Sequence, residues 1–149
     1  MPERETIERA HEDAREGKSP STQAGEFVRE EMHHIREGKH GAASTKQAIA
    51  IGLSKARRSG VKLGPPRKGK TSARTRQKAE RDYERGQSHS RKKSSTRSRA
   101  TSRALKREGH SAASHSSLSK QARSAAKKRG SASRRSAARK ATRTRKAHR

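Results

Sequence analysis

The stretch Thr45 to Gly60, TKQAIAIGLSKARRSG, constrains this chain more than any other. It is the one run in which apolar, basic and capping residues agree on a single local structure. Ser44 or Thr45 supplies an N-cap, and Gly60 suits a helix end. Ala48, Ile49, Gly52, Leu53 and Ala56 recur at helical spacing on one face. Gly52 costs the helix roughly 1 kcal/mol against Ala, and in return lets a neighbouring helix come close. The opposite face carries Gln47, Ile51, Ser54, Lys55 and Arg58.

Two helices are expected before it. Pro2 to Glu16 has early acids and a closing Gly17, but Ile7 is its only large apolar residue after Met1. Weak docking and fraying follow. Ser19-Pro20 then restarts a helix as N-cap and first-turn residue. Ala24, Phe27, Val28, Met32 and Ile35 share its apolar face, Glu26, Glu30 and Glu37 group opposite, and Gly38 ends it.

Little else can build a core. Hydrophobic residues are 24% of the chain, with one Phe, one Tyr and no Trp. Nine bulky residues (Phe27, Val28, Met32, Ile35, Ile49, Ile51, Leu53, Val61 and Leu63) are available. Their burial is worth at most roughly 14–27 kcal/mol, which ordering the backbone largely offsets. The expected fold is all-α. Residues 1–63 form a small helical hairpin or three-helix unit, with helices near 2–16, 20–37 and 45–58. A Gly/Pro linker covers 64–70, and an exposed polar helix covers 71–85, with Tyr83 projecting from it. Residues 86–149 read as a basic low-complexity tail, largely disordered, with transient helices near 96–107 and 118–129. A homo-oligomer is one way to complete so small a core.

Charge supplies the functional signal. Residues 1–37 hold 6 basic and 10 acidic residues, residues 38–86 hold 14 and 3, and residues 87–149 hold 21 and 1. A one-sided cationic segment points to a polyanion. The candidate phosphate contacts are Gln47, Lys55, Arg57 and Arg58 on the third helix, and Arg67, Lys68 and Lys70 in the linker. Beyond them lie Arg91, Lys92, Lys93, Lys106, Arg107, Lys120, Arg123, Lys127, Lys128, Arg129, Arg134, Arg135, Arg139, Lys140, Arg143, Arg145 and Lys146. Gln47, Ser54, Lys55 and Arg58 around Ile51 also have the residue types that read a major groove. The lack of Phe, Tyr and Trp in residues 87–149 argues against base stacking, which favours duplex DNA over single-stranded RNA.

The tail also repeats an earlier pattern. Arg36-Glu37-Gly38-Lys39-His40-Gly41-Ala42-Ala43-Ser44, followed by Lys46-Gln47-Ala48, returns as Arg107-Glu108-Gly109-His110-Ser111-Ala112-Ala113-Ser114, followed by Lys120-Gln121-Ala122. Each copy ends on a basic run and a glycine, Gly60 or Gly130. A degenerate helix–loop–helix repeat and a low-complexity coincidence both account for it.

Enzymatic readings find no support. Gly64-Pro65-Pro66-Arg67-Lys68-Gly69-Lys70-Thr71 fits a phosphate-loop pattern. However, Pro65 and Pro66 offer no N–H groups, and no buried strand leads into it. The eight His residues, especially His33-His34 with His40, invite a metal reading. Adjacent histidines, however, diverge by about 100° on a helix, and there is no Cys, so no metal site is expected. No cofactor, small-molecule substrate or catalytic constellation is expected either. The longest apolar run, Ala48 to Leu53, is far too short for a membrane span. The charged N-terminus does not read as a secretory signal, which makes the cytoplasm the expected location.

The stretch Lys46 to Ser54, with Ala56-Arg57-Arg58 and Gly60, resembles a family of small basic bacterial proteins classed as a domain of unknown function. That family has a KQAIAI-L-ARR-G core, preceded by a helix with a Met-His pair and a Gly-Lys turn, here Met32-His33 and Gly38-Lys39. The likeness covers roughly residues 25–63, and the loop between the two helices is shorter here. The Lys/Arg/Ser/Ala-rich tail is similar to that of a linker histone. The resemblance implies DNA binding or plasmid maintenance. The expectation is a histone-like, nucleoid-associated DNA binder. An RNA- or ribosome-associated protein and a partition adaptor stand as alternatives.

Overall fold

The computed structural model describes residues 2–88 and 94–147. Among them every regular element is helical: α1 (Arg4–Arg15), α2 (Pro20–Arg36), α3 (Thr45–Arg58), α4 (Ala73–Gln87), α5 (Ser95–Lys106), a 3-10 turn (Ser111–Ala113) and α6 (His115–Ala147). None is long and apolar enough to cross a membrane. Serine starts most of them. Ser19, Ser44, Ser72 and Ser94 each accept a hydrogen bond from the backbone N–H three residues on, satisfying a donor that the helix leaves free. The chain divides into two units, Met1–Ser114 and His115–Arg149.

In the first unit α1 and α3 pack on α2, α4 packs on α3, and the 3-10 turn touches α2 and α3. The core is built differently from the expected cluster of bulky residues. Phe27, Ile35, Met32 and Val61 are buried, but Ile49, Ile51 and Leu53 are only half-buried. Alanine fills the remainder: Ala10, Ala24, Ala42, Ala48, Ala56, Ala79, Ala112 and Ala113 are all buried. Gly52 explains the difference. A Cβ placed there would lie 2.7 Å from Val28 Cα, so α2 and α3 meet backbone to backbone. At that separation small residues fill the seam, and larger ones are pushed to its edges.

Several expectations are corrected. α1 lies on α2 through buried Thr6 and Ala10 and half-buried Ile7, and Arg9 Nε donates to Glu26 Oε2 at 2.8 Å. Its docking uses small residues and an ion pair in place of a large apolar face. Glu30, placed by periodicity on the solvent side of α2, is buried. α4 is not an exposed projection. It buries Ala79, half-buries Tyr83, and brings Gly86 so close to Arg57 that a Cβ there would meet the Arg57 carbonyl oxygen at 1.8 Å. Gln87 Nε2 donates to the Gly60 carbonyl at 3.3 Å.

Residues 105–113, expected in a disordered tail, are folded into the first unit. Gly41 N donates to Leu105 O at 2.9 Å, and Ala42 N to Gly109 O at 3.0 Å. Arg36 Nε donates to Ala113 O at 2.9 Å, and Thr45 Oγ1 to Ala112 O at 2.6 Å. The loop of the second sequence repeat therefore sits on the loop of the first, and both copies are helix, loop and helix.

The second unit is also helical where disorder was expected. Ala, Arg, Lys and Gln are among the better helix formers, and a helix bonds its own backbone without needing a core. α6 bends at Gly130, whose φ of 74° and ψ of 166° are not helical. A side chain rarely adopts that positive φ, so glycine suits the break.

Candidate nucleic-acid interface

The polar face of α3 is held by the fold. Gln47 Oε1 accepts from Ala43 N at 2.7 Å and so caps the start of its own helix. Ser54 Oγ donates to Asp82 Oδ2 on α4 at 2.6 Å. Lys55 Nζ lies 2.7 Å from Glu31 Oε2 and 3.3 Å from Glu30 Oε1. Arg57 is buried, and its Nε donates to Leu63 O at 3.0 Å. Burial lowers the Arg57 guanidinium pKa below its ordinary range, against the opposing pull of Asp82. Ser54, Lys55, Arg57 and the Oε1 of Gln47 are thus engaged within the fold. Arg58 stays exposed, with Nε donating to Ser54 O at 3.2 Å and 3.7 Å from Asp82 Oδ1.

The other candidate cations among the described residues are exposed. Arg67, Lys68 and Lys70 are exposed in the loop before α4, which enters no strand. Lys106 and Arg107 are exposed at the end of α5. Arg91, Lys92 and Lys93 lie outside the described residues. Lys120, Arg123, Lys127, Lys128 and Arg129 are exposed before the Gly130 bend. Arg134, Arg135, Arg139, Lys140, Arg143, Arg145 and Lys146 are exposed after it.

The second unit is therefore where the free cations gather. α6 holds 12 Lys and Arg and no acidic residue. Arg135, Arg139 and Arg143 line one face with Ala132, Ser136 and Lys140. Residues four apart on a helix are about 6 Å apart along its axis. The residues between the cations on this face, Ala132 and Ser136, are small.

Glu30, Glu31, His34, His40 and Lys55 form one cluster at the junction of α2, α3 and their connecting loop. The sequence offers His33-His34 with His40 as a metal candidate; in the structure His33 is exposed, while His34 and His40 come together beside Glu31. The missed signal was Glu31, an acid four residues after Phe27 and four before Ile35 on the core face.

No curated protein and no solved structure matches the chain. A family model, described as a family of unknown function (DUF6496), matches residues 15–68, a span that contains the Lys46–Gly60 core, Met32-His33 and Gly38-Lys39.

Proposed function

We propose that this chain is a non-enzymatic, largely sequence-independent DNA-binding protein, histone-like in its chemistry, whose second unit neutralises phosphate. The observation that carries this reading is the exposed cation array of α6, uninterrupted by any acid. Each phosphate contact releases condensed counterions, so affinity grows with the number of cations that reach the backbone. The last Phe, Tyr or Trp in the chain is Tyr83. Stacking on bases is therefore absent from the chemistry of α6, which favours a duplex over a single strand. In this reading the folded first unit sets geometry or self-association.

The test keeps the full chain. Binding of a duplex oligonucleotide is measured by fluorescence anisotropy across a salt series, for the natural sequence and for a variant carrying R135Q, R139Q, K140Q and R143Q. With about 8 phosphate contacts the log–log salt slope is near −7, and removing four makes it shallower by about 3–4. An unchanged slope and affinity would overturn the proposal. Preferential displacement of the duplex by structured RNA at matched salt would reassign the ligand to RNA.

A further inference from the structure

The cluster at the junction of α2 and α3 has a chemistry of its own. Glu31 is 0% exposed, and neither carboxylate oxygen receives a well-directed hydrogen bond. Its neighbours are close but off the hydrogen-bonding direction: Lys55 Nζ is 2.7 Å from Oε2, and His40 Nε2 is 3.2 Å from Oε1. Glu30 is buried beside it, and one ammonium, Lys55, faces both carboxylates. With neutral imidazoles one buried negative charge stays uncompensated, which is costly in a low dielectric.

We propose that Glu31, His34 and His40 form a binding site for one zinc-class divalent cation. One ligand atom from each residue lies within 4.8 Å of the other two. Tetrahedral zinc holds its nitrogen and oxygen ligands about 3.3–3.5 Å apart. His40 Nε2 and Glu31 Oε1 already stand at 3.2 Å. The imidazole of His34 meets that of His40 edge to face, with centroids 6.1 Å apart, so the rings converge without stacking.

The surroundings orient these groups. Glu3 Oε1 lies 2.8 Å from His34 Nε2. When Nε2 donates that bond, the lone pair of His34 is on Nδ1, which turns toward the interior and sits 3.8 Å from Glu30 Oε1. A lone pair facing a buried carboxylate repels it, and a cation between them removes the repulsion. A carboxylate behind a ligating imidazole is the usual outer support of a zinc site. Lys55 holds Glu31 Oε2 and leaves Oε1 to the ion. Two imidazoles and one carboxylate suit zinc better than magnesium or calcium, which prefer all-oxygen shells. Because Gly41 and Ala42, next to His40, bond to Leu105 and Gly109, the ion would also brace the docked 105–113 segment.

This inference is independent of the nucleic-acid reading and is tested without DNA. The full chain is stripped of metal by a chelator. It is then titrated with zinc against a chromophoric competitor. The histidine ring NMR signals are followed in parallel. One equivalent is expected to bind, shifting His34 and His40 but not His33. His40→Gln should weaken binding at least about tenfold, while His33→Gln leaves it unchanged. Absence of stoichiometric binding, equal loss with His33→Gln, or shifts confined to exposed histidines would overturn the site. The NMR arm uses the natural sequence, so it decides the question even if His40→Gln fails to fold.

Discussion

Replacing Gly52 with alanine should destabilise the protein, although helix propensity alone favours the change. An interior helical Gly→Ala gains about 0.5–1 kcal/mol. At Gly52 the new Cβ would stand 2.7 Å from Val28 Cα, 2.9 Å from Val28 Cγ2 and 3.0 Å from Val28 N. A methyl carbon can rotate aside, but Cα and N belong to the α2 backbone, so the helices themselves must part. Overpacking costs about 1–3 kcal/mol, and rigid neighbours place this site near the top of that range, leaving a net loss of about 1–2 kcal/mol. Gly25 on α2 is the control, since a Cβ there meets nothing within 4 Å. Gly25→Ala should therefore stabilise by the propensity term alone. Urea unfolding of both variants, followed by far-UV circular dichroism and the near-UV signal of Tyr83, measures the difference. If Gly52→Ala proves as stable as Gly25→Ala, the close backbone approach of α2 and α3 is wrong.

Two further outcomes follow from the polar junction. Lys55→Met removes the one ammonium facing Glu30 and Glu31, both buried. It should cost about 3–5 kcal/mol at neutral pH, and an unchanged urea midpoint would show that those carboxylates are not buried as charges. The second outcome concerns acid stability. The Glu3 carboxyl is held below its ordinary value of 4.5, first by its hydrogen bond with His34 and then by Lys39. A depressed carboxyl contributes stability that is complete above its ordinary value and is lost as pH falls through the lowered one. Glu3→Gln should therefore lower stability at pH 7 and flatten its decline in acid, and superimposable pH profiles would refute the contact.

The legible parts of the fold were those written locally. Ser19-Pro20 and Ser44 are caps that can be read without knowing any neighbour, and each makes its capping bond. Gly52 was legible as a site of close approach, but its consequence for Ile49, Ile51 and Leu53 was not. A bulky residue next to a tight seam looks the same in sequence as one in the core. The docking of 105–113 was hidden for a different reason. Ala112 and Ala113 carry almost no hydrophobic signal, and their burial depends on Gly41, where a Cβ would lie 1.9 Å from Glu108 O. The repeat was the only sequence feature linking the two loops. α6 was misjudged because a missing core was taken to mean a missing helix, when alanine and arginine favour one locally.

The candidate interface shows why cation positions alone mislead. Lys55 and Arg58 are one helix turn apart, and nothing in their spacing tells a phosphate contact from an internal ion pair. The distinction lies with acids far away in sequence: Glu30 and Glu31 on α2 capture Lys55, and Asp82 on α4 draws Arg58. A lysine or arginine is free to meet a polyanion only when no folded acid has claimed it. In this chain the last acid is Glu108. The second unit contains no Asp or Glu with which the cations of α6 could pair, whereas the first unit holds all 14 acidic residues. The division of the chain into an ion-paired unit and an acid-free helix therefore follows from where the carboxylates stop. This division, more than the count of basic residues, is what supports the proposed polyanion surface on α6.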